Sequence, residues 1–143
     1  MKKILYKQED GTIAILNPSP DIRIEEAITH VPVGLPYLVV DAKSLPSDEN
    51  INLFFSALEA DFDTPSDPKV RINIAKAKEI TKERLRIERK RLFDANDILL
   101  RDAMLENNKA KIDKAIAERD RLRDVTKKVD DANTIEALKK LRP

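Results

Sequence analysis

The stretch KVRINIAKAKEITKERLRIERKRLFDANDILLRDAMLE, residues 69–106, decides the fold. It contains no Gly and no Pro, its apolar residues recur every three or four positions, and one helix of this length would measure about 57 Å. Asn107 and Asn108 follow, and Asn tolerates the left-handed backbone of a tight turn. We therefore predict a long charged helix, a turn, and a second helix over about 109–126 that packs back on the first.

Two apolar rows run along the predicted long helix. Leu85, Leu92 and Leu99 are spaced by seven residues, as in a heptad seam that Thr81 and Glu88 interrupt. The members of the second row are Ile80, Ile87, Ile98 and Leu105. Two rows indicate burial on more than one side of the helix, so we expect the hairpin to contact another chain or the N-terminal part as well.

The N-terminal part reads as a small β-containing module. Short β-branched runs at 3–8 and 12–16 flank Asp10-Gly11, a dipeptide typical of hairpin turns. A third strand is predicted over 37–41, after Gly34 and Pro36. Short helices are predicted over 21–31, with Asp21 as a possible cap, and over 49–61, with Ser47 or Asp48 as cap.

The segment DFDTPSDP, with Pro65 and Pro68, is the best candidate for a linker. The predicted organisation is an α+β chain with a β-containing module at 1–62, a linker at 63–68, and a helical hairpin at 69–143 that includes a short terminal helix over 130–142. Charge divides in a similar way: residues 1–68 hold 5 Lys and Arg against 12 Asp and Glu, net −7, and residues 69–143 hold 22 against 14, net +8.

No catalytic chemistry can be read from the residues. The chain has no Cys, which excludes disulfides and thiolate metal sites, and its one His, His30, lies four residues after Glu26 without further metal-ligating partners. The two Gly cannot form a phosphate-binding loop. We therefore expect no enzyme activity, no cofactor and no metal.

Since no apolar run approaches the roughly 18 residues of a membrane span, and the N-terminus lacks a secretory signal pattern, we expect synthesis in the cytoplasm and no membrane association.

The basic run KERLRIERKR at 82–91 raises the hypothesis of nucleic-acid binding. Against it, Glu79 and Glu83 precede Lys82 and Arg86 by three residues, a spacing typical of a solvated face with ion pairs, and no aromatic residue lies within the run for base stacking. Protein contact is the favoured role of this helix. The candidate contact residues are Leu85, Leu92 and Leu99 on the seam, with Arg84, Arg86, Arg89 and Arg91 on the basic face.

Three stretches resemble, in order and spacing, a group of small tail-associated proteins of tailed bacteriophages and prophages. They are MKKILYKQEDGTIAILNPSP, HVPVGLPYLVVDAKSLPSD, and ITKERLRIERKRLFDANDILLRDAM followed by RDRLRDVTKKVDDANTIEALKKLRP. The most specific pieces are VPVGLPYLVVD and LRDVT with IEALKKLRP. The stretch INLFFSAL at 51–58 departs from the pattern, because relatives carry an Arg/Trp-containing element there.

The resemblance implies a non-enzymatic virion protein of the tail region, made in the host cytoplasm, with other phage tail or fibre proteins as partners and a place in a homo-oligomer or symmetric assembly. It transfers no catalytic residues. A tail-fibre assembly chaperone that leaves the finished particle is the alternative, because exposed apolar rows on a helical hairpin would suit either role. A basic-helix nucleic-acid-binding protein is the third hypothesis.

Overall fold

The computed structural model describes the whole chain, Met1–Pro143, as an α+β fold with two compact units, Met1–Asn73 and Ile74–Pro143. The first unit holds all the strands and two short helices. The second is entirely helical. The predicted fold class, with a small antiparallel sheet followed by long helices, is confirmed.

A three-stranded antiparallel sheet forms the centre of the first unit. Strands β1 (Lys2–Lys7), β2 (Ile13–Leu16) and β3 (Tyr37–Asp41) are ordered β2-β1-β3. The predicted hairpin joins β1 to β2, with Gly11 at a φ of +85°, a conformation that Gly adopts without a Cβ penalty. Asp10 stabilises the turn, because its carboxylate accepts hydrogen bonds from the backbone N–H of Thr12 at 2.9 Å and from its hydroxyl at 2.6 Å.

Both faces of β1 are buried. Ile4 packs with Ala27 and Val31 under helix α1 (Ile24–Ile28), whereas its neighbour Leu5 packs with other residues on the opposite face. That second cluster consists of Leu5, Ile13, Leu38, Val40 and Leu58. Successive strand residues point to opposite faces, so the central strand has an apolar layer on each side.

The second layer is supplied by a two-stranded ribbon that the sequence did not predict. Strand β4 (Leu58–Glu59) pairs antiparallel with β5 (Arg71–Ile72), and Leu58 lies opposite Ile72. The predicted linker at 63–68 belongs to the loop that joins these strands, closed by a hydrogen bond from the Asp61 N–H to the Pro68 carbonyl at 2.6 Å. The division between units therefore lies after Asn73, and the long helix starts at Ile74 rather than at residue 69.

The short helices of the first unit are shorter than predicted. Helix α1 begins after Arg23 rather than Asp21, because the N–H of Ile22 bonds to the Ser19 carbonyl in a preceding turn. Helix α2 (Asp48–Leu53) is capped by Ser47, whose hydroxyl accepts from the Asn50 N–H. The rest of the predicted helix at 49–61 is a 3-10 turn (Phe55–Ala57) and β4, because pairing with β5 draws this segment under the sheet.

The second unit is a helical hairpin built on α3 (Ile74–Leu105), which has 32 residues and a length of about 48 Å. The predicted turn is confirmed: Asn107 has a φ of +53°, and the Asn108 side chain caps α4 (Lys109–Arg123) by accepting from the Lys111 N–H. Helix α4 packs against the C-terminal half of α3.

A 3-10 segment (Val125–Val129) continues the return path to the level of Lys78 and Lys82. Helix α5 (Ile135–Lys140) then runs back toward the middle of α3, so that its end lies beside Arg84. Thr134 begins α5, because its hydroxyl accepts from the Ala137 N–H at 3.1 Å. The return helix ends three residues before the predicted limit at 126, and α5 is shorter than the predicted 130–142. The core of this unit consists of Ala77, Thr81, Leu85, Ala103, Ala115, Leu122, Val125, Val129, Ala132 and Leu138.

Candidate protein-contact surfaces

Two of the four arginines predicted for partner contact hold the chain itself together. Arg84 donates through Nη2 to the carbonyls of Leu138 and Leu141, at 3.2 and 2.8 Å. These carbonyls lie at the end of α5, where the last turn of a helix leaves its C=O groups without intrahelical partners. The guanidinium therefore caps α5 and complements the negative end of its dipole.

Arg89 performs the same task at the end of α4. Its Nη1 donates to the Leu122 carbonyl at 3.3 Å and to the Arg123 carbonyl at 2.9 Å, and its guanidinium carbon lies 5.7 Å from the centre of the Phe93 ring. The C-terminal ends of both return helices are thus capped by cations of α3.

Two lysines of α3 also bind the return path. Lys78 donates to the Asp130 carbonyl at 3.0 Å and to the Asn133 side chain at 3.2 Å. Lys82 lies 3.0 Å from a carboxylate oxygen of Asp130 and 3.3 Å from one of Glu79, and the hydrogen bonds that it donates to these two carboxylates raise its pKa. Much of the positive charge of α3 is therefore neutralised or used within the unit.

Arg86 and Arg91 are the exposed members of the predicted basic face. Arg86 forms the expected pair with Glu83 at 3.2 Å, and the expected pair of Glu79 with Lys82 is also present. Arg91 is exposed and makes no ion pair within the chain. The two pairs fit the interpretation of a solvated face with alternating charges.

The predicted leucine seam is not a single buried row. Leu85 is completely buried, Leu92 is half-buried, and Leu99 is 63% exposed. The row that α4 covers passes instead through Asn96 and Ala103, which are both buried, and Asn96 bonds to Ala115 of α4. Leu99 lies beside this row and is available for contact.

Asn96 is a structural residue that the sequence analysis missed. It is 5% exposed, and its Nδ2 donates to the backbone carbonyl of Ala115 at 2.8 Å, which joins α3 to the middle of α4. Its position could have identified it, because Asn96 stands four residues after Leu92 and seven before Ala103, so that a polar side chain lies in an apolar row of the helix.

A groove of about 650 Å³ runs beside Leu99, between α3 and α4. Leu99, Ala103, Ala115 and Ala117 give it an apolar floor. Its charged rim consists of Asp102 and Glu106 on the α3 side and Lys111, Lys114, Glu118 and Arg121 on the α4 side.

Ion pairs order part of this rim. Lys111 pairs with Glu106 at 2.7 Å, and Arg121 binds both carboxylate oxygens of Glu118, at 2.6 and 2.8 Å, which lowers the pKa of Glu118. An apolar floor between charged rims is suited to an apolar segment of another protein.

The second predicted apolar row lies along a side of α3 that α4 does not cover. Ile87, Ile98 and Leu105 are 67%, 51% and 81% exposed, and Ile80 is half-buried. Three of the four side chains are therefore largely exposed, and Ile87 borders the C-terminal Arg142 and Pro143.

The first unit exposes a smaller apolar patch on its edge strand. Tyr37 and Val39 of β3 lie opposite Tyr6 and Ile4 of β1, on the face that carries α1, and are 46% and 38% exposed. Each unit therefore offers apolar surface of its own for contact.

His30 is exposed after the end of α1, and no group of three or more His, Cys, Asp or Glu residues is arranged to hold a metal ion. No helix combines the length and the apolar character that crossing a membrane requires. Comparison of the chain with protein-family models, curated proteins and solved structures gave no match.

Proposed function

We propose that this chain is a small structural component of a bacteriophage tail or tail fibre, retained in the virion, and that it acts through protein-protein contacts rather than catalysis. The proposal joins the resemblance of its sequence to tail-associated phage proteins with one structural observation, the uncovered apolar row of Ile87, Ile98 and Leu105 on a long helix. Apolar side chains aligned along one stripe of a helix suit packing against another helix.

The two-unit layout supports attachment to more than one neighbour. The first unit exposes Tyr37 and Val39, and the second exposes its apolar row and the groove beside Leu99. The first unit is acidic and the second basic, so neighbours of different charge suit each.

An assembly chaperone that leaves the finished particle is the second candidate, and the groove between α3 and α4 is the observation that favours it. An apolar floor bounded by Lys114, Arg121 and Asp102 suits transient capture of an apolar segment of a fibre protein.

Mass spectrometry of purified particles from the phage or induced prophage tests the proposal. A structural component is expected at a constant ratio to the major capsid protein, set by the symmetry of the tail. Absence from particles, with abundant protein in the infected cell, would contradict the virion role and support the chaperone. Binding to nucleic acid that weakens steeply with salt would contradict both.

A further inference from the structure

A second heptad pattern runs along α3 outside the row that α4 covers, and near its middle Ile87 and Arg91 border the C-terminal Arg142 and Pro143. Positions 80, 84, 87, 91, 94, 98, 101 and 105 alternate steps of four and three, and we call them the outer face; its residues are Ile80, Arg84, Ile87, Arg91, Asp94, Ile98, Arg101 and Leu105. Steps of this kind place all eight on one stripe of the helix. Ile87, Ile98 and Leu105 are among the most exposed large apolar side chains of the chain.

We propose that the outer face pairs with the outer face of a second copy of this chain, with the two α3 helices antiparallel and the two-fold axis passing between Leu92 and Phe93. In an antiparallel helix pair the two alternating heptad positions face each other. In this register Ile98 faces Ile87 of the second copy, and Leu105 faces its Ile80. Four apolar layers therefore form by symmetry.

Charge selects the direction and the register. Arg91 and Asp94 are exposed and form no ion pair within the chain. In the proposed register each Arg91 faces Asp94 of the second copy, which gives two reciprocal ion pairs at the centre of the interface. A parallel arrangement would instead set Arg91 against Arg91 and Asp94 against Asp94, and such like-charge contacts are unfavourable.

Neighbouring antiparallel registers fit less well. A shift by one heptad in one direction sets Arg91 against Arg101 and Asp94 against Ile98. The opposite shift sets Ile87 against Arg91.

The chosen register leaves one layer of like charges, Arg84 facing Arg101. Arg84 is directed to the carbonyls of Leu138 and Leu141, and Arg101 lies 3.6 Å from Asp102 with a side chain long enough to reach solvent. Neither guanidinium needs to enter the interface.

Single cysteine variants test direction and register directly, because the chain has no Cys of its own. Ile87→Cys and Ile98→Cys are prepared separately, mixed and oxidised. We expect the disulfide between the two variants to dominate, with little cross-linking in either variant alone. Same-variant disulfides would indicate parallel helices, and no cross-linking in the mixture would mean that a different surface pairs; either result would overturn the proposal.

A charge exchange tests the central pairs in the full chain. Sedimentation equilibrium at about 100 μM, well above the Kd of a stable dimer, is expected to give twice the 16.3 kDa of one chain. Arg91→Asp should weaken the dimer about tenfold or more, since two like-charge pairs replace two ion pairs. The double variant Arg91→Asp with Asp94→Arg should restore it, and Arg119→Asp, an equal charge change at an exposed position of α4, should leave it unchanged.

A monomer at all concentrations would overturn the pairing. So would a dimer that does not respond to Arg91→Asp. The inference depends only on the outer face, so absence of the protein from phage particles would contradict the proposed function without affecting it.

Discussion

Replacement of Arg89 by Met tests whether the basic residues of α3 stabilise the hairpin. Met keeps most of the aliphatic stem and removes the guanidinium that donates to the Leu122 and Arg123 carbonyls at 3.3 and 2.9 Å. A hydrogen bond from a charged group contributes about 1.5–3 kcal/mol, and a cation at a helix C-terminus adds about 0.3–1 kcal/mol. Because Arg89 is only half-buried, the lower part of the combined range applies, and we expect a loss of about 2 kcal/mol.

Urea unfolding of the full chain, followed by far-UV circular dichroism, measures this loss as a shift of the midpoint at constant slope. Arg86→Met is the matched control, because Arg86 is half-exposed and pairs only with Glu83 on the surface; it should change stability by less than about 0.5 kcal/mol. If Arg89→Met were no more destabilising than Arg86→Met, the capping role of Arg89 would be wrong.

Two further predictions concern the leucine seam and acid stability. Leu85→Ala should cost about 3 kcal/mol because Leu85 is completely buried, whereas Leu99→Ala should cost less than about 0.5 kcal/mol because Leu99 is 63% exposed; equal losses in urea unfolding would contradict the assigned core. Three carboxyl groups accept hydrogen bonds that lower their pKa values: Asp10 from Thr12, Glu118 from Arg121, and Asp124 from Lys127. Each stabilises the folded chain fully at a pH above its pKa in the unfolded state. This stabilisation is lost as pH falls through the lowered pKa of the folded state. At pH values below about 4 the melting temperature should therefore decrease, and in Asp124→Asn it should decrease less steeply with pH. If the melting temperature of Asp124→Asn depended on pH as in the unsubstituted chain, the contribution of Asp124 would be wrong.

Local signals in the sequence predicted the elements that depend on local chemistry. Asp10-Gly11 identified the first hairpin because Gly supplies the positive φ that its turn requires. Asn107 and Asn108 identified the turn between α3 and α4 for a related reason, and the side chain of Asn108 also caps the second helix. Each of these predictions needed only a few neighbouring residues.

The ribbon of β4 and β5 could not be predicted in this way. Its strands have two residues each, too few for a periodic pattern, and Leu58 and Ile72 pair across a loop that resembles a linker. Val70 stands four residues before Ile74, which is the spacing of a helix, so the long helix was predicted to start before Val70 and Ile72. Packing under the sheet decides their conformation, and that information lies in Leu5 and its neighbours far along the chain.

The candidate contact residues show a similar limit. A spacing of seven identifies a row of leucines but does not say how far the return path covers it, so Leu85 and Leu99 received the same assignment although one is buried and the other exposed. The sequence does not show that Arg84 and Arg89 act within the chain, because their acceptors are backbone carbonyls 54 and 33 residues away. Every residue type has a backbone carbonyl, so the residue pattern cannot identify such an acceptor.

The adjacent burial of Ile4 and Leu5 bears on how this chain finds its correct pairing. In a sheet with one wet face, a shift of β1 by one residue would turn its apolar side chains into water, and that penalty fixes the alignment. Here both sides of β1 are dry, so the same shift would exchange Ile4 and Leu5 between two apolar layers. Hydrophobicity therefore discriminates weakly between alignments of this strand, and the tight loop around Gly11 fixes the alignment of β1 with β2.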